Sequence, residues 1–272
     1  MNYYFTLLFL VALQYVNAQE SFVFKYLPQP QLKYETTGIY QTKAAGKLEG
    51  LFPFTMNLEG NNKVQSATST GAEVKQIIPY KTEILFVETS MKFNEQITPL
   101  KAPLSGSTIY GYYDENGKTK IDSIVNNTLD SLEKQHLKTE MEQNQFEDKT
   151  PNKPMKVGDS VEKTETVAFP VLGADQQEFL VKTKYTLQKI ENGTGYLDAT
   201  QTFQLKSPNE QIEVLPNSNG SGKVEFNIKH TYVSKKVTSA NLYLKVKQDG
   251  YVMSCIISSN NSDITTASSL IR

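Results

Sequence analysis

The sequence predicts an α+β fold that is mostly β, with a curved, half-barrel-like antiparallel sheet packed on one long amphipathic helix. Three observations support this prediction. Short runs that alternate apolar and polar residues recur along the chain, separated by Gly, Pro, Asn and Asp. Trp is absent, whereas 15 Tyr and 13 Phe supply large side chains typical of sheets. Residues 121–141 instead carry apolar residues at helical spacing.

The chain begins with an apolar run over residues 5–16, which has the length of a secretory signal core rather than of a membrane span. Val16 and Ala18 place β-branched and small residues three and one positions before Gln19. We therefore expect signal peptidase to remove residues 1–18. No later run reaches the roughly 18 apolar residues of a transmembrane helix. The sequence predicts an exported protein, periplasmic or extracellular, without a transmembrane anchor.

Residues 19–272 are predicted to form a single β-rich domain, with a helix near residues 120–145 and a connector near residues 149–157. The 28 basic and 29 acidic residues are spread evenly along the chain, without the basic patch of a nucleic-acid-binding surface. The single cysteine, Cys255, cannot form an internal disulfide. Packing and hydrogen bonds must therefore stabilise the fold, and no nucleic-acid partner is expected.

Strands are predicted wherever the alternation has a period of two residues. Such strands have one packed face and one wet face, which is typical of antiparallel sheets joined by hairpins. Asn192-Gly193 and Asp249-Gly250 suit type I′ hairpin turns, because both residue types tolerate positive φ. The predicted strands are residues 32–40, 83–89, 108–113, 161–169, 179–190, 196–205, 223–232, 242–246 and 251–257.

The predicted helix has an apolar stripe that we expect to pack onto the concave face of the sheet. Polar and charged residues such as Asn126, Asp130, Glu133 and Lys134 occupy its other side. A connector containing Pro151 then ends the helical region and returns the chain to strands. The stripe consists of Ile121, Ile124, Val125, Leu129, Leu132, Leu137 and Met141.

The connector leads into Pro154-Met155-Lys156-Val157-Gly158-Asp159-Ser160, followed later by Tyr185-Thr186-Leu187-Gln188-Lys189-Ile190 and Gly195-Tyr196-Leu197. These segments resemble a Pro-x-Lys-Val-Gly-Asp-Ser-Trp motif and its following hairpin in a family of exported Gram-negative bacterial proteins of unknown function. Val161 replaces the expected Trp. The resemblance covers about the middle third of the chain and implies export and fold, with no activity or catalytic residue. In physical terms, Gly158 and Asp159 are predicted to form a turn that begins a strand.

Residues suited to catalysis or metal binding are sparse. His136 and His230 are the only histidines, and neither has a ligand partner two to four residues away, so no metal site is expected. Cys255 lies in an apolar strand, where a core role is expected. The serine-hydrolase elbow, Walker, dinucleotide-binding and His-Glu-x-x-His motifs are all absent. Residues 114–118 fit a β-turn better than a calcium loop. We therefore expect no cofactor and no enzyme activity.

Two functions fit these observations. In the first, an exported non-catalytic binding or carrier protein holds a hydrophobic ligand in an apolar cleft between helix and sheet. Its predicted lining is Leu129 and Leu132 from the helix, with Tyr110 and Tyr112 from one face of a strand. In the second, a structural or cell-envelope interaction protein presents its outer sheet face or its edges to a partner. The expected partner is thus a hydrophobic small molecule or an envelope protein.

Overall fold

The structure is a computed structural model that describes residues 21–49, 55–93, 96–100, 104–115, 117–143, 153–169, 171, 177–248 and 250–271. The predicted signal peptide and residues 149–152 of the predicted connector lie outside these ranges. No helix within them has the length and hydropathy of a membrane span. The elements are β1 (Leu32–Glu49), β2 (Thr55–Thr70), β3 (Ile78–Phe93), β4 (Gln96–Leu100), β5 (Thr108–Tyr113), β6 (Thr119–Val125), α1 (Ser131–Gln143), β7 (Ser160–Phe169), β8 (Gln177–Glu191), β9 (Thr194–Leu205), β10 (Ile212–Val214), β11 (Asn219–Asn227), β12 (Tyr232–Gln248) and β13 (Tyr251–Ser269).

All these strands belong to one open antiparallel sheet in the order β6-β5-β3-β2-β1-β13-β12-β11-β9-β8-β7, with β4 beside β3 and β10 beside β12. The prediction of an antiparallel sheet is confirmed. Hairpins account for most of the connections. Asn192 and Gly193 both have positive φ, 51° and 74°, between β8 and β9, as a type I′ turn requires. Gly158 has φ 92° just before β7, where Lys156 N–H donates to the Asp159 carboxylate at 2.8 Å.

One face of the sheet carries the apolar core. Residues directly opposite each other on antiparallel strands share a face, so the register assigns every strand to an inner and an outer side. All three apolar clusters lie on the inner side. We call the end where β1 begins proximal and the end where β1 finishes distal. Two clusters, around Phe226 and around Ile109, occupy the proximal half, and the third, around Leu244, occupies the distal half.

The sheet curls around an N-terminal segment, residues 21–31, at its proximal end. β5 and β8 stand eight strand positions apart, which would be roughly 38 Å in a flat sheet. Yet Phe24 packs on Tyr185 of β8 with ring centroids 5.2 Å apart, and Tyr26 packs on Tyr113 of β5 at 6.5 Å. Because the two residues from Phe24 to Tyr26 span at most about 7 Å, the intervening strands must bend. The inner face is therefore concave here.

The N-terminal segment belongs to the core rather than to a free tail. The Phe22 ring stacks on Phe226 with centroids 5.3 Å apart and covers Gly195, where an added Cβ would lie 2.5 Å from it. Phe22 and Met155 exchange two backbone hydrogen bonds, with N–H to oxygen distances of 3.2 and 2.8 Å. Phe22 and Phe24 are both buried. The sequence prediction contained no role for this segment.

The predicted long helix over residues 121–141, and hence the α+β class in which it packs on the sheet, is wrong. Residues 119–125 form strand β6, and the helix is the 13-residue α1. α1 begins with a capping box in which Asp130 and Glu133 each accept the other's backbone N–H at 2.8 Å. Its backbone lies beside β6, and its Leu137 side chain packs against the core cluster around Ile109. Over the described residues, the fold is an open, almost entirely antiparallel sheet with one short helix at its edge.

A β-bulge explains the misleading helical spacing. Gly111 of β5 faces Ile121, whereas the preceding Tyr110 faces Ser123, so Asp122 is an extra residue in β6. Ile121 and Ile124 are consequently three residues apart and yet both point to the buried inner side. Three-residue spacing normally indicates a helix, and here it arises within a strand.

Candidate functional site

An apolar row crosses the inner face in the distal half of the sheet. Its members are direct cross-strand partners on five adjacent strands. Their burial is graded, from Leu242, 2% exposed, to Phe93, 46% exposed. Leu58, between Phe93 and Ala44, is half-buried. We call this set, Phe93, Leu58, Ala44, Ile257 and Leu242, the apolar row.

The apolar row forms the side of the distal core that reaches solvent. Buried Leu244, Val246 and Phe179 lie in the same cluster and complete its packed side. At the other side Phe93 and the neighbouring Met91, which is also exposed, stand on the inner side of β3 next to solvent. A packed core therefore continues without interruption into an exposed apolar surface, which is a feature of ligand and partner sites.

Small residues follow the apolar row toward the middle of the sheet. The next register row on the inner side reads Met91, Gly60, Thr42, Ser259 and Ala240 across the same five strands. An added Cβ at Gly60 would find no atom closer than 4.0 Å, so the surface there is open. Apart from Met91, the side chains of this row are short, and they leave room above the sheet beside the apolar row.

A polar belt comes next, roughly 13 Å from the apolar row at about 3.3 Å per residue. Its row is Thr89, Asn62, Tyr40, Asn261 and Thr238, with Asp263 and Lys236 directly opposite each other one row further on. The Tyr40 hydroxyl donates to the Asp263 carboxylate at 2.5 Å, and the Thr89 hydroxyl donates to the side-chain amide oxygen of Asn62 at 3.3 Å. Burial raises the pKa of Tyr40, and Asp263 raises it further, so this hydroxyl remains a donor at neutral pH.

Cys255 is part of the distal core and not a reactive thiol. It is buried on the inner side, paired with Gly46 and Leu244. Burial raises the pKa of its thiol, which disfavours the nucleophilic thiolate. The predicted core role of this residue is confirmed. The described residues also contain no group of three His, Cys, Asp or Glu side chains able to hold a metal ion.

A cleft of about 630 Å³ lies at the proximal end, beside the N-terminal segment. Leu27, Pro28 and Tyr113 contribute its apolar parts, while Glu73 and Glu115 bring carboxylates to its wall. Asp114, also in the wall, accepts the Lys118 N–H at 2.9 Å within the β5–β6 turn, the turn predicted for residues 114–118. An apolar ligand would desolvate these carboxylates, so the apolar row suits such a ligand better.

The four predicted site residues do not form one pocket. Tyr110 is 41% exposed on the outer side of β5, with Tyr112 on the same side. Leu129 is half-buried in the turn before α1, and Leu132 on the first turn of α1 is 78% exposed. The predicted cleft between helix and sheet therefore has no counterpart at these residues. The shared face of Tyr110 and Tyr112 is as predicted, but it faces outward.

Sequence reasoning missed the residues of the exposed apolar surface. The predicted strand ended at residue 89, although Val87, Thr89, Met91 and Phe93 continue to alternate with charged and polar residues. β2 was not predicted, since its Asn, Gly and Lys residues have low strand propensity. The extended alternation was the available signal for Met91 and Phe93. No signal identified Leu58 as their neighbour.

Comparison with known proteins gives no family. No family model matches the chain, and no curated protein matches it. Among solved structures, the chain is similar to lipovitellin from a study of lipid–protein interactions, with a TM-score of 0.48 and 11% identity. The match covers 90% of this chain and 26% of that chain. The chain thus spans about a quarter of the length of the lipovitellin chain.

Proposed function

We propose that this protein is a non-catalytic binding or carrier protein for an amphipathic, lipid-like ligand held on the inner face of its sheet. The ligand's apolar part lies along the apolar row, and its polar group lies toward the polar belt. One observation carries the proposal. The apolar row passes across adjacent strands from a fully buried core to the exposed Phe93, and exposed Met91 stands beside Phe93 in the next register row. Hydrogen-bonded polar residues begin two register rows away from the apolar row.

The energetics favour an apolar contact at this place. Complete burial of a Phe or Met side chain is worth roughly 1.5–3 kcal/mol, so covering the half-exposed Phe93 and Met91 contributes about 1 kcal/mol each. Both side chains project from a strand that is already paired in the sheet, so their backbone needs no ordering on binding. The small-residue row offers space for the ligand, and the Tyr40 and Thr89 hydroxyls supply orienting polar groups.

A titration with matched variants tests this proposal. Delipidated protein is titrated with a fluorescent fatty acid at low and high salt, and saturable binding with a micromolar Kd that salt barely changes is expected. Phe93→Ser should weaken binding by about fivefold. Ile97→Ser is the control, because Ile97 is 70% exposed on the adjacent strand but on the outer side. Equal binding by both variants, or no saturable binding to wild type, would contradict the proposal.

The outer face favours a second candidate function, an interaction protein that binds an envelope partner there. Ile39 and Val237 both lie opposite Ser262, and Ile264 is two residues further on, so three exposed apolar side chains cluster at mid-sheet. A groove of about 290 Å³ runs beside them. Val237→Asp should then abolish capture of the envelope partner and leave fatty-acid binding unchanged. Loss of fatty-acid binding in this variant would place both activities on one surface.

We also propose that the protein works outside the cytoplasm, in the periplasm or beyond. The apolar run over residues 5–16 supports this location, together with the small residue before Gln19. Export suits a carrier, since a ligand with an apolar part needs a protein to cross an aqueous compartment.

A further inference from the structure

The two strands that end the strand order, β6 and β7, differ in whether another element covers their free side. At the β6 edge, the Ile121 N–H donates to the Glu142 carboxylate of α1 at 2.8 Å, so the helix covers this edge. At the other edge, β7 ends the strand order, and no described strand pairs with its free side. The side chains of Glu162, Thr164 and Thr166 on β7 are exposed. An edge of ten residues that no described strand covers is a template for pairing with another strand.

The hydrogen-bond pattern shows which β7 residues face the free side. Leu187 N–H donates to the Asp159 carbonyl at 2.9 Å, and the Gly158 N–H donates to the Leu187 carbonyl at 2.8 Å. Antiparallel ladders alternate, so odd-numbered residues of β7 bond to β8 and even-numbered residues direct N–H and C=O outward. Thr164, at the middle of β7, is one of the outward-directed residues.

The sequence of β7 is complementary to itself in one register. If two copies pair antiparallel about a two-fold axis at Thr164, Lys163 of each copy lies opposite Glu165 of the other. Val161 then lies opposite Val167, both on the inner side. These are non-hydrogen-bonded pairs, in which facing side chains approach most closely. If the axis lies at residue 162, Glu162 of one copy faces Glu162 of the other. If it lies at residue 166, Glu165 of one copy faces Val167 of the other. Of these three registers, the one centred on Thr164 is the one that pairs opposite charges.

We propose that two copies of this chain associate through β7, antiparallel and centred on Thr164, to form one continuous sheet with a two-fold axis. Thr164 of each copy exchanges backbone hydrogen bonds with Thr164 of the other, and Glu162 does so with Thr166. A two-fold interface of this kind is isologous and closes as a dimer, so it does not propagate into fibres. The inner faces of the two copies become continuous. The inference rests on the edge alone and holds whether or not the inner face binds a ligand.

Inward-pointing charges can also protect a bare edge from pairing, and the test separates the two roles of Lys163 and Glu165. Wild-type protein should sediment at twice the monomer mass at micromolar concentration. Lys163→Glu and Glu165→Lys each place like charges opposite one another and should each raise the dimer Kd by about tenfold or more. An equimolar mixture of the two variants restores opposite charges at both positions, so the mixture should form the heterodimer.

A backbone variant provides the control that leaves charge unchanged. Thr164→Pro removes an N–H directed to the free side, which an edge strand tolerates, and should yield a folded monomer. Lys163 also lies 5.1 Å above the Phe24 ring, so Lys163→Glu affects packing as well, while Glu165→Lys and Thr164→Pro do not depend on that contact. A monomeric wild type, or a Thr164→Pro dimer, would overturn the proposal. Failure of the two charge variants to associate with each other would also overturn it.

Discussion

The Tyr40 hydroxyl reaches the Asp263 carboxylate by lying across Gly38, the residue directly opposite Asp263. An added Cβ at Gly38 would lie 2.5 Å from the Tyr40 hydroxyl oxygen. The glycine therefore provides the space in which the tyrosine ring folds over the middle of the inner face. This arrangement fixes one donor and one carboxylate of the polar belt.

Gly38→Ala should destabilise the protein by about 1–3 kcal/mol, because the new methyl group displaces the Tyr40 ring from Asp263. Gly60→Ala is the matched control on the adjacent strand. Its Cβ would lie 4.0 Å from the nearest atom, so no loss of stability is expected. Urea melts of both variants provide the measurement. In a Tyr40→Ser background the penalty for Gly38→Ala should largely disappear, and a persistent penalty would show that the clash lies elsewhere.

Alkaline pH should reduce stability partly through Tyr40. Burial and Asp263 raise the pKa of Tyr40 in the folded state above its ordinary value of about 10. Above pH 10 the unfolded chain loses this proton while the folded chain keeps it, so the free energy of unfolding falls as pH rises. Tyr40→Phe should show a shallower fall between pH 9 and pH 11, measured as urea midpoints at each pH. An identical pH dependence would contradict the raised pKa. Burial also raises the pKa of Tyr185 to about 12, so the Tyr40→Phe variant should still lose some stability at alkaline pH.

Truncations should distinguish buried Ile121 on β6 from exposed Leu132 on α1, two residues of the predicted stripe. Ile121→Ala removes a side chain that is 2% exposed and should cost about 2–5 kcal/mol. Leu132→Ala should change the free energy of unfolding by less than about 0.5 kcal/mol, since Leu132 lies in solvent. Guanidinium melts measure both values. A large loss of unfolding free energy for Leu132→Ala would instead support a helix packed on the sheet through Leu132.

N-terminal sequencing of exported protein should give Gln19 or its cyclised form. This cut leaves Phe22 and Phe24, which pack on Phe226, in the mature chain. Phe24→Ala should accordingly cost about 3–5 kcal/mol. Intact Met1 on protein recovered outside the cytoplasm would contradict the cleaved signal.

The sequence predicted the antiparallel sheet because alternation and Asn-Gly or Asp-Gly turns are local signals. β5 was predicted with its observed limits, and the turn at Asn192-Gly193 joins β8 to β9 as expected. Predicted strand 223–232 was wrong in its second half. The chain turns at residues 228–231 before β12, where Ile228 N–H donates to the Gly193 carbonyl at 3.0 Å.

The remaining elements depend on contacts between distant parts of the chain. β2 and the later part of β13 are rich in Asn, Ser and Thr, and neighbouring strands on both sides hold them in the sheet. Thr36 and Thr265, for example, share a hydrogen bond of 3.0 Å across 229 residues of sequence. For the same reason the local sequence could not predict the apolar row, since Phe93 and Leu242 come from distant strands that only the fold brings into one row.

Photo-crosslinking would show directly whether a fatty acid lies on the apolar row, because it locates the bound ligand. A diazirine fatty acid is bound to wild-type protein, activated with light, and mapped by peptide mass spectrometry. Labels are expected on inner-side residues of the distal half, above all Met91, Phe93 and Leu58, and unlabelled fatty acid should compete them away. Labels confined to the proximal cleft around Leu27 and Tyr113, or to the outer side around Val237, would contradict this placement of the ligand.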